Sequence, residues 1–122
     1  MEPKVNVLIA NHNYGEWVLD SIKSALNQDY QNLFVTVVDD GSTDESVKKI
    51  NQTFKINSEY EWKNIPIKSY YSNDKLVYLA CLDRSYGPAK ARNVGIEMTL
   101  DHSDAYAILD ADDCMHSNKV ST

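Results

Sequence analysis

The sequence predicts an α/β fold, a mainly parallel sheet with helices on both faces. Apolar, β-branched runs of strand length alternate with amphipathic stretches of helix length along the chain. The runs show little apolar–polar alternation, as expected of parallel strands covered on both faces. Clusters of Asp, Asn and Arg follow the ends of these runs, where ligands bind in open α/β sheets. With 122 residues and 43% hydrophobic content, the chain reads as one domain, residues 1–122, with a real core.

The first strand is residues 5–10, rich in Val, Leu and Ile. It opens into a polar turn, Asn11, His12, Asn13 and Tyr14, broken by Gly15. Residues 16–28 read as a helix, because Val18, Ile22, Ala25 and Leu26 recur at helical spacing. Trp17 is expected to pack with that helix. The second strand, residues 33–38, ends in Asp39, Asp40 and Gly41. Ser42 and Glu45 have capping-box spacing, which starts a helix whose apolar stripe is Val47, Ile50 and Phe54. Residues 57–73 read as a loop carrying Pro66, with a short strand near residues 67–71. Residues 76–82 form a further strand, paired with the short one or apart from it. After a turn at residues 83–87, Pro88 suits a first helical position. The helix runs to about Leu100 and packs through Ala91, Val94 or Gly95, and Met98. The last strand, residues 106–109, empties into Asp110, Asp112 and Asp113.

Composition narrows the function classes. A net charge of −6 argues against nucleic-acid binding, which needs a basic face. Cys81 and Cys114 have neither CxxC nor zinc-site spacing, so reduced, intracellular thiols are expected. The N-terminus lacks signal-peptide shape and no run approaches a membrane span. The expected location is the cytoplasm, including the inner face of its membrane.

The acidic group repels itself unless a cation is present. Asp110, Asp112 and Asp113 offer hard oxygen ligands suited to Mg2+ or Mn2+, with phosphate oxygens and water completing the shell. The alternative is a solvated acidic turn; the Asp spacing and the missing downstream Gly and Glu speak against an EF-hand. Asp40 can accept the imide N–H of a uracil or thymine base; the alternative for Asp39 and Asp40 is helix-start chemistry. Arg92, one turn inside a helix that starts at the same rim, suits a diphosphate. Lys90 reads as simply exposed. Of the histidines, His12 alone is placed for ligand contact.

Five stretches carry a family likeness: residues 7–14, 24–28, 37–44, 87–96 and 109–113. Together they resemble the N-terminal half of a family 2 glycosyltransferase of the GT-A fold, a Rossmann-like nucleotide-diphospho-sugar transferase architecture. The match runs from about residue 4 to residue 119. The resemblance implies a nucleotide-sugar donor site involving Ala10, His12, Asn13, Asp39, Asp40, Arg92, Asn93, Asp110, Ala111 and Asp112. It implies a DxD-type metal site at Asp110, Asp112 and Asp113, holding Mn2+ or Mg2+ on the diphosphate of a sugar donor, foremost a UDP-sugar. The acceptor would be a saccharide, lipid or protein. Where the family has Pro-Thr-Tyr, this chain has Ala10-Asn11-His12, so an imidazole replaces the ring expected to stack on the base. No acid here maps onto the general base of inverting members. That base and the acceptor half are expected beyond Thr122, with self-association expected through the sheet surface they would cover. The same site would serve a non-catalytic nucleotide-binding remnant. A receiver-like Mg2+-binding signalling module fits less well, because its acid pair belongs after the first strand. Dinucleotide and P-loop glycine signatures are absent.

Overall fold

The computed structural model describes residues 2–72 and 74–110, with Asp110 described as backbone only. The elements are β1 (Val5–Asn11), α1 (Val18–Leu26), β2 (Leu33–Asp39), α2 (Ser46–Thr53), β3 (Lys55–Trp62), β4 (Ile65–Ser72), β5 (Lys75–Cys81), α3 (Pro88–Met98) and β6 (Ala105–Asp110). They build one six-stranded sheet in the order β3-β4-β5-β2-β1-β6. β1 pairs in parallel with β2 and β6, and β2 pairs in parallel with β5. β3 and β4 are antiparallel additions on the β5 side. The predicted class is therefore the observed one.

Each face of the sheet has its own core. On one face Val7, Ile9, Val35 and Val37 meet Val18, Ile22 and Ala25 of α1 and Ile50 of α2. On the other, Leu8, Val38 and Ala80 meet Ala91, Val94 and Met98 of α3. Successive strand residues point to opposite faces, so an unbroken apolar run feeds both cores at once. Gly95 lets α3 lie close, because a Cβ there would sit 2.2 Å from Leu8 Cδ1 and 3.1 Å from Val38 Cγ2. Gly95→Val should lower stability by about 2–3 kcal/mol through overpacking, read in urea unfolding. An unchanged midpoint would show that α3 can rise off the sheet without cost.

Three expectations need correction. Residues 55–62 form a strand and not a loop, and Pro66 lies inside β4 opposite Glu61. A two-residue turn, Lys63 and Asn64 with φ of 48° and 67°, joins them into a hairpin. The capping box between Ser42 and Glu45 does not form. Ser42 Oγ donates to Asp39 Oδ1 at 2.7 Å, and α2 starts at Ser46, whose N–H donates to Asp44 Oδ1 at 2.9 Å. Trp17 precedes α1 and is 44% exposed, tilted against the Tyr14 ring, so it is not core packing.

The topology fixes where a ligand can sit. From β1 the chain moves through α1 to β2 on one side, and later through α3 to β6 on the other. β1 is thus the point where strand order reverses, and the crevice beyond its carboxyl end is the expected ligand position. No helix among the described residues is long and apolar enough to cross a membrane.

Candidate functional site

A cavity of about 470 Å³ opens at that crevice. Ala10, Asn11, His12 and Tyr14 line it from β1 and the following turn, Asp40 from β2, and Ser85, Gly87, Pro88 and Arg92 from the start of α3.

Asp40 is 3% exposed and organises one wall. Its Oδ1 accepts the Tyr86 N–H at 2.7 Å, and its Oδ2 accepts the Gly87 N–H at 2.9 Å and the Ser85 hydroxyl at 3.0 Å. A buried carboxylate needs such donors, since an unpaired one would be too costly to ionise. Three bonds leave about one of its four acceptor positions for anything else. Its backbone is held as well: the Asp40 N–H donates to Asn11 O at 2.7 Å. His12 Nδ1 lies 2.7 Å from Asp40 O. A carbonyl can only accept, so Nδ1 carries the hydrogen in that bond.

Asp39 works inside the protein. Its Oδ1 accepts from Asn11 Nδ2 at 2.8 Å and from Ser42 Oγ, and its Oδ2 accepts the Ser42 N–H at 3.0 Å. Asp39 lies beside Cys81 in the β2–β5 register, and the Cys81 thiol is pushed up to about 11 by burial first and by the Asp39 charge second. Asn13 is exposed with φ 59°, and its Oδ1 accepts the N–H groups of Thr43 and Asp44 at 2.8 and 3.1 Å. Asp44 closes the same turn by accepting the Gly15 N–H at 2.9 Å. Burial pushes the Asp44 carboxyl up, but hydrogen bonds from Ser46 and Gly15 and the Lys49 charge outweigh it and hold it below its ordinary range.

Of the residues singled out in the sequence, Ala10, His12, Asp40 and Arg92 thus meet in one cavity. Asn13 and Asp39 brace the loops behind it, and Asn93 is exposed on α3 outside its lining. Asp110 ends β6 opposite Ala10, which puts its backbone at the same rim. Ala111, Asp112 and Asp113 lie outside the described residues, as does the Asp110 side chain. Among the described residues no group of His, Cys, Asp and Glu is gathered to hold a metal. Sequence reasoning missed Asn11, Tyr14, Ser85, Gly87 and Pro88 as lining residues; the turn that carries Ser85 and Gly87 was visible, its contribution to Asp40 was not.

The model of a family described as glycosyl transferase family 2 matches residues 6–122. An uncharacterized glycosyltransferase of Haemophilus influenzae is 31% identical over 97% of this chain, which spans 40% of that protein. One from Rickettsia bellii is 33% identical over 98% of the chain, which spans 14% of it. Among solved structures, Staphylococcus aureus TarS 1–349 in complex with UDP-GlcNAc aligns over 97% of this chain and 29% of its own, with TM-score 0.71 and 21% identity. The mannosyltransferase PcManGT of Pyrobaculum calidifontis, in complex with GDP-Man and Mn2+, aligns over 99% of this chain and 31% of its own, with TM-score 0.68 and 21% identity. The chain therefore spans well under half the length of these relatives, and the fold is that of GT-A glycosyltransferases.

Proposed function

Because the chain belongs to glycosyl transferase family 2, we propose that its crevice holds the nucleotide part of a nucleotide-diphosphate sugar, with a UDP-sugar as the first candidate. In this reading residues 1–122 form the donor-binding part of a transferase that passes a sugar to a saccharide, lipid or protein acceptor. The observation that carries it is the cavity at the reversal of strand order. It combines a carboxylate (Asp40), an imidazole (His12) and a guanidinium (Arg92) around the start of α3. Asp40, with about one acceptor position left, takes the imide N–H of the base. Arg92 and the N-terminal end of α3 take the diphosphate. Ala10 borders the nucleotide, while Asn13 and Asp39 hold the loops that shape its place.

The acids at the end of β6 fit a divalent ion in kind. Asp110 ends its strand in register with Ala10 of the cavity, and the set Asp110, Asp112 and Asp113 is all oxygen, as Mg2+ and Mn2+ prefer. Bound there, Mn2+ or Mg2+ would supply Lewis-acid stabilisation of the leaving diphosphate. Arg92 would add a fixed positive charge where the leaving group gains negative charge.

Calorimetric titration of the chain with UDP, GDP and CDP, with Mn2+ and then with EDTA, tests the proposal. Binding of at least one nucleotide is expected, weakened at least about tenfold by EDTA. Asp112→Asn should remove that metal-dependent increment and leave the unfolding midpoint unchanged. Failure of a folded sample to bind any of the three with Mn2+ would sink the reading.

A further inference from the structure

A second cavity opens at the same rim, where the turn at residues 83–87 separates it from the first. Ser85 and Gly87 line the first cavity, whereas Asp83 and Tyr86 line the second. The second has a volume of about 680 Å³, within the range of small-ligand sites. The β4–β5 register, with Ile67 beside Ala80, carries the β3–β4 hairpin turn past Cys81 at the carboxyl end of β5. The cavity is built by that hairpin turn, the 83–87 turn and the start of α3. Ile65, Pro66 and Leu82 give it an apolar lining.

Its charge is unlike that of the chain as a whole. Lys63 and Lys90 line it from separate elements, the hairpin turn and α3. Neither is in an ion pair among the described residues, although the chain carries 18 acids to 12 bases. Lys68 of β4 shows the contrast, lying 3.7 Å from Glu59. The Lys63 ammonium sits 4.9 Å from the centre of the Trp62 ring, a contact that places the charge without neutralising it. Asp83 brings an acid to the lining, but its Oδ1 accepts the Tyr86 hydroxyl at 2.7 Å. Arg84, 4.9 Å from the centre of the Tyr86 ring, offsets that charge. The hairpin turn adds a separate observation. Lys63 and Asn64 have φ of 48° and 67°, a conformation that favours Gly, Asn and Asp. Asn64 suits it. Lys63 does not, because its Cβ is disfavoured there and it has no short polar group to bond the turn. Turn chemistry therefore gives no reason for a lysine, and an ammonium group at the cavity does.

We propose that this cavity is a second ligand site, for a small organic phosphate: the phosphate meets the Lys63 and Lys90 ammonium groups, and the organic body packs on Ile65, Pro66 and Leu82. Two ammonium groups suit a dianion, which a phosphate monoester is above neutral pH and a single carboxylate is not. A concave site of this size takes a ring-sized molecule and not a bilayer surface. The assignment needs neither nucleotide nor metal, so it stands apart from the donor-pocket reading.

The test titrates the chain with phenyl phosphate and follows backbone amide NMR shifts, at about pH 8 and without nucleotide or metal. Saturable shifts are expected at Asn64, Ile65, Leu82 and Asp83, with a Kd of about 1 mM. Phenol lacks the charge and inorganic phosphate lacks the ring, so each should bind at least about fivefold more weakly. Lys63→Asn should keep or raise the unfolding midpoint, because asparagine suits the turn, and weaken phenyl phosphate about fivefold. Lys90→Met should weaken it to a similar degree, and Arg92→Met, in the first cavity, should not. Shifts confined to Asn11, His12 and Arg92 overturn the assignment, as does an affinity that both lysine variants leave intact. Phenol or inorganic phosphate binding as tightly as phenyl phosphate overturns it too, and so does the absence of any saturable shift. If Lys63→Asn lowers the midpoint, Lys90→Met decides: a fivefold loss supports the assignment and an unchanged affinity overturns it.

Discussion

Asp40→Ala is expected to lower the stability of the chain by about 3–4 kcal/mol and to weaken UDP binding by about a hundredfold or more. The reason lies in what the carboxylate holds. It is 3% exposed and accepts the Tyr86 N–H, the Gly87 N–H and the Ser85 hydroxyl. Removing it leaves these donors facing an apolar methyl group. Water can reach the exposed part of the turn, which keeps the loss below the sum of three charge-assisted bonds. The turn also lines the cavity through Ser85 and Gly87, so releasing it disorders one wall. Asp40→Asn separates the two effects. It keeps the shape and one acceptor oxygen but aims an NH2 group at an N–H donor, and should cost about 2 kcal/mol. Urea unfolding gives the stabilities, and the amide resonances of Tyr86 and Gly87 report the turn. An Asp40→Ala protein with wild-type stability and unmoved Tyr86 and Gly87 amides would show that the turn holds itself.

Most of the sheet is readable in the chain because its strands are buried. β1 and β2 are buried along nearly their whole length and mostly apolar, and breakers bound them: Gly15 after the first turn and Gly41 after the second. α3 is readable for the same reason, with Pro88 at its start and Ala91, Val94, Gly95 and Met98 all buried. β3 is the exception. Lys55, Glu59 and Glu61 face water, and even Ile56 and Tyr60 remain 48% and 46% exposed. An edge strand of this composition has almost no local signal, because its pairing with β4 defines it. The hairpin turn hides for a related reason: Lys63 and Asn64 hold positive φ without a glycine to announce it. The same division runs through the candidate site. His12, Asp40 and Arg92 follow strand ends or open a helix, so topology rules find them. The donors that fix Asp40 include the backbone N–H groups of Tyr86 and Gly87, and every residue but proline carries that group. Sequence can locate a side chain that reacts or binds; it has no letter for a backbone amide aimed at one.

Gly41→Ala should be as damaging as loss of Asp40, although Gly41 makes no contact through a side chain. Its φ is +64°, where a Cβ costs about 1 kcal/mol. The larger cost is spatial. A Cβ on Gly41 would lie 2.3 Å from Arg84 C, 2.5 Å from Ser85 N and 2.6 Å from Arg84 Cα. These are backbone atoms, and no side-chain rotation relieves the overlap. The Arg84–Ser85 segment must move away from β2, and it leads directly into the donors that hold Asp40. Strain, overlap and a loosened carboxylate together should cost about 3–5 kcal/mol and remove nucleotide binding. Gly87→Ala supplies the contrast. Gly87 also has positive φ, +99°, but a Cβ there meets nothing within 4 Å. Its cost is conformational alone, about 1–2 kcal/mol. Thermal or urea unfolding of the two variants ranks these causes. If Gly87→Ala proves the more destabilising, the close approach of Arg84 to Gly41 does not constrain the fold. If Gly41→Ala is the weaker protein and also loses UDP while Gly87→Ala retains part of it, then the glycine after β2 sets the distance between that strand and the turn, and with it the width of the cavity.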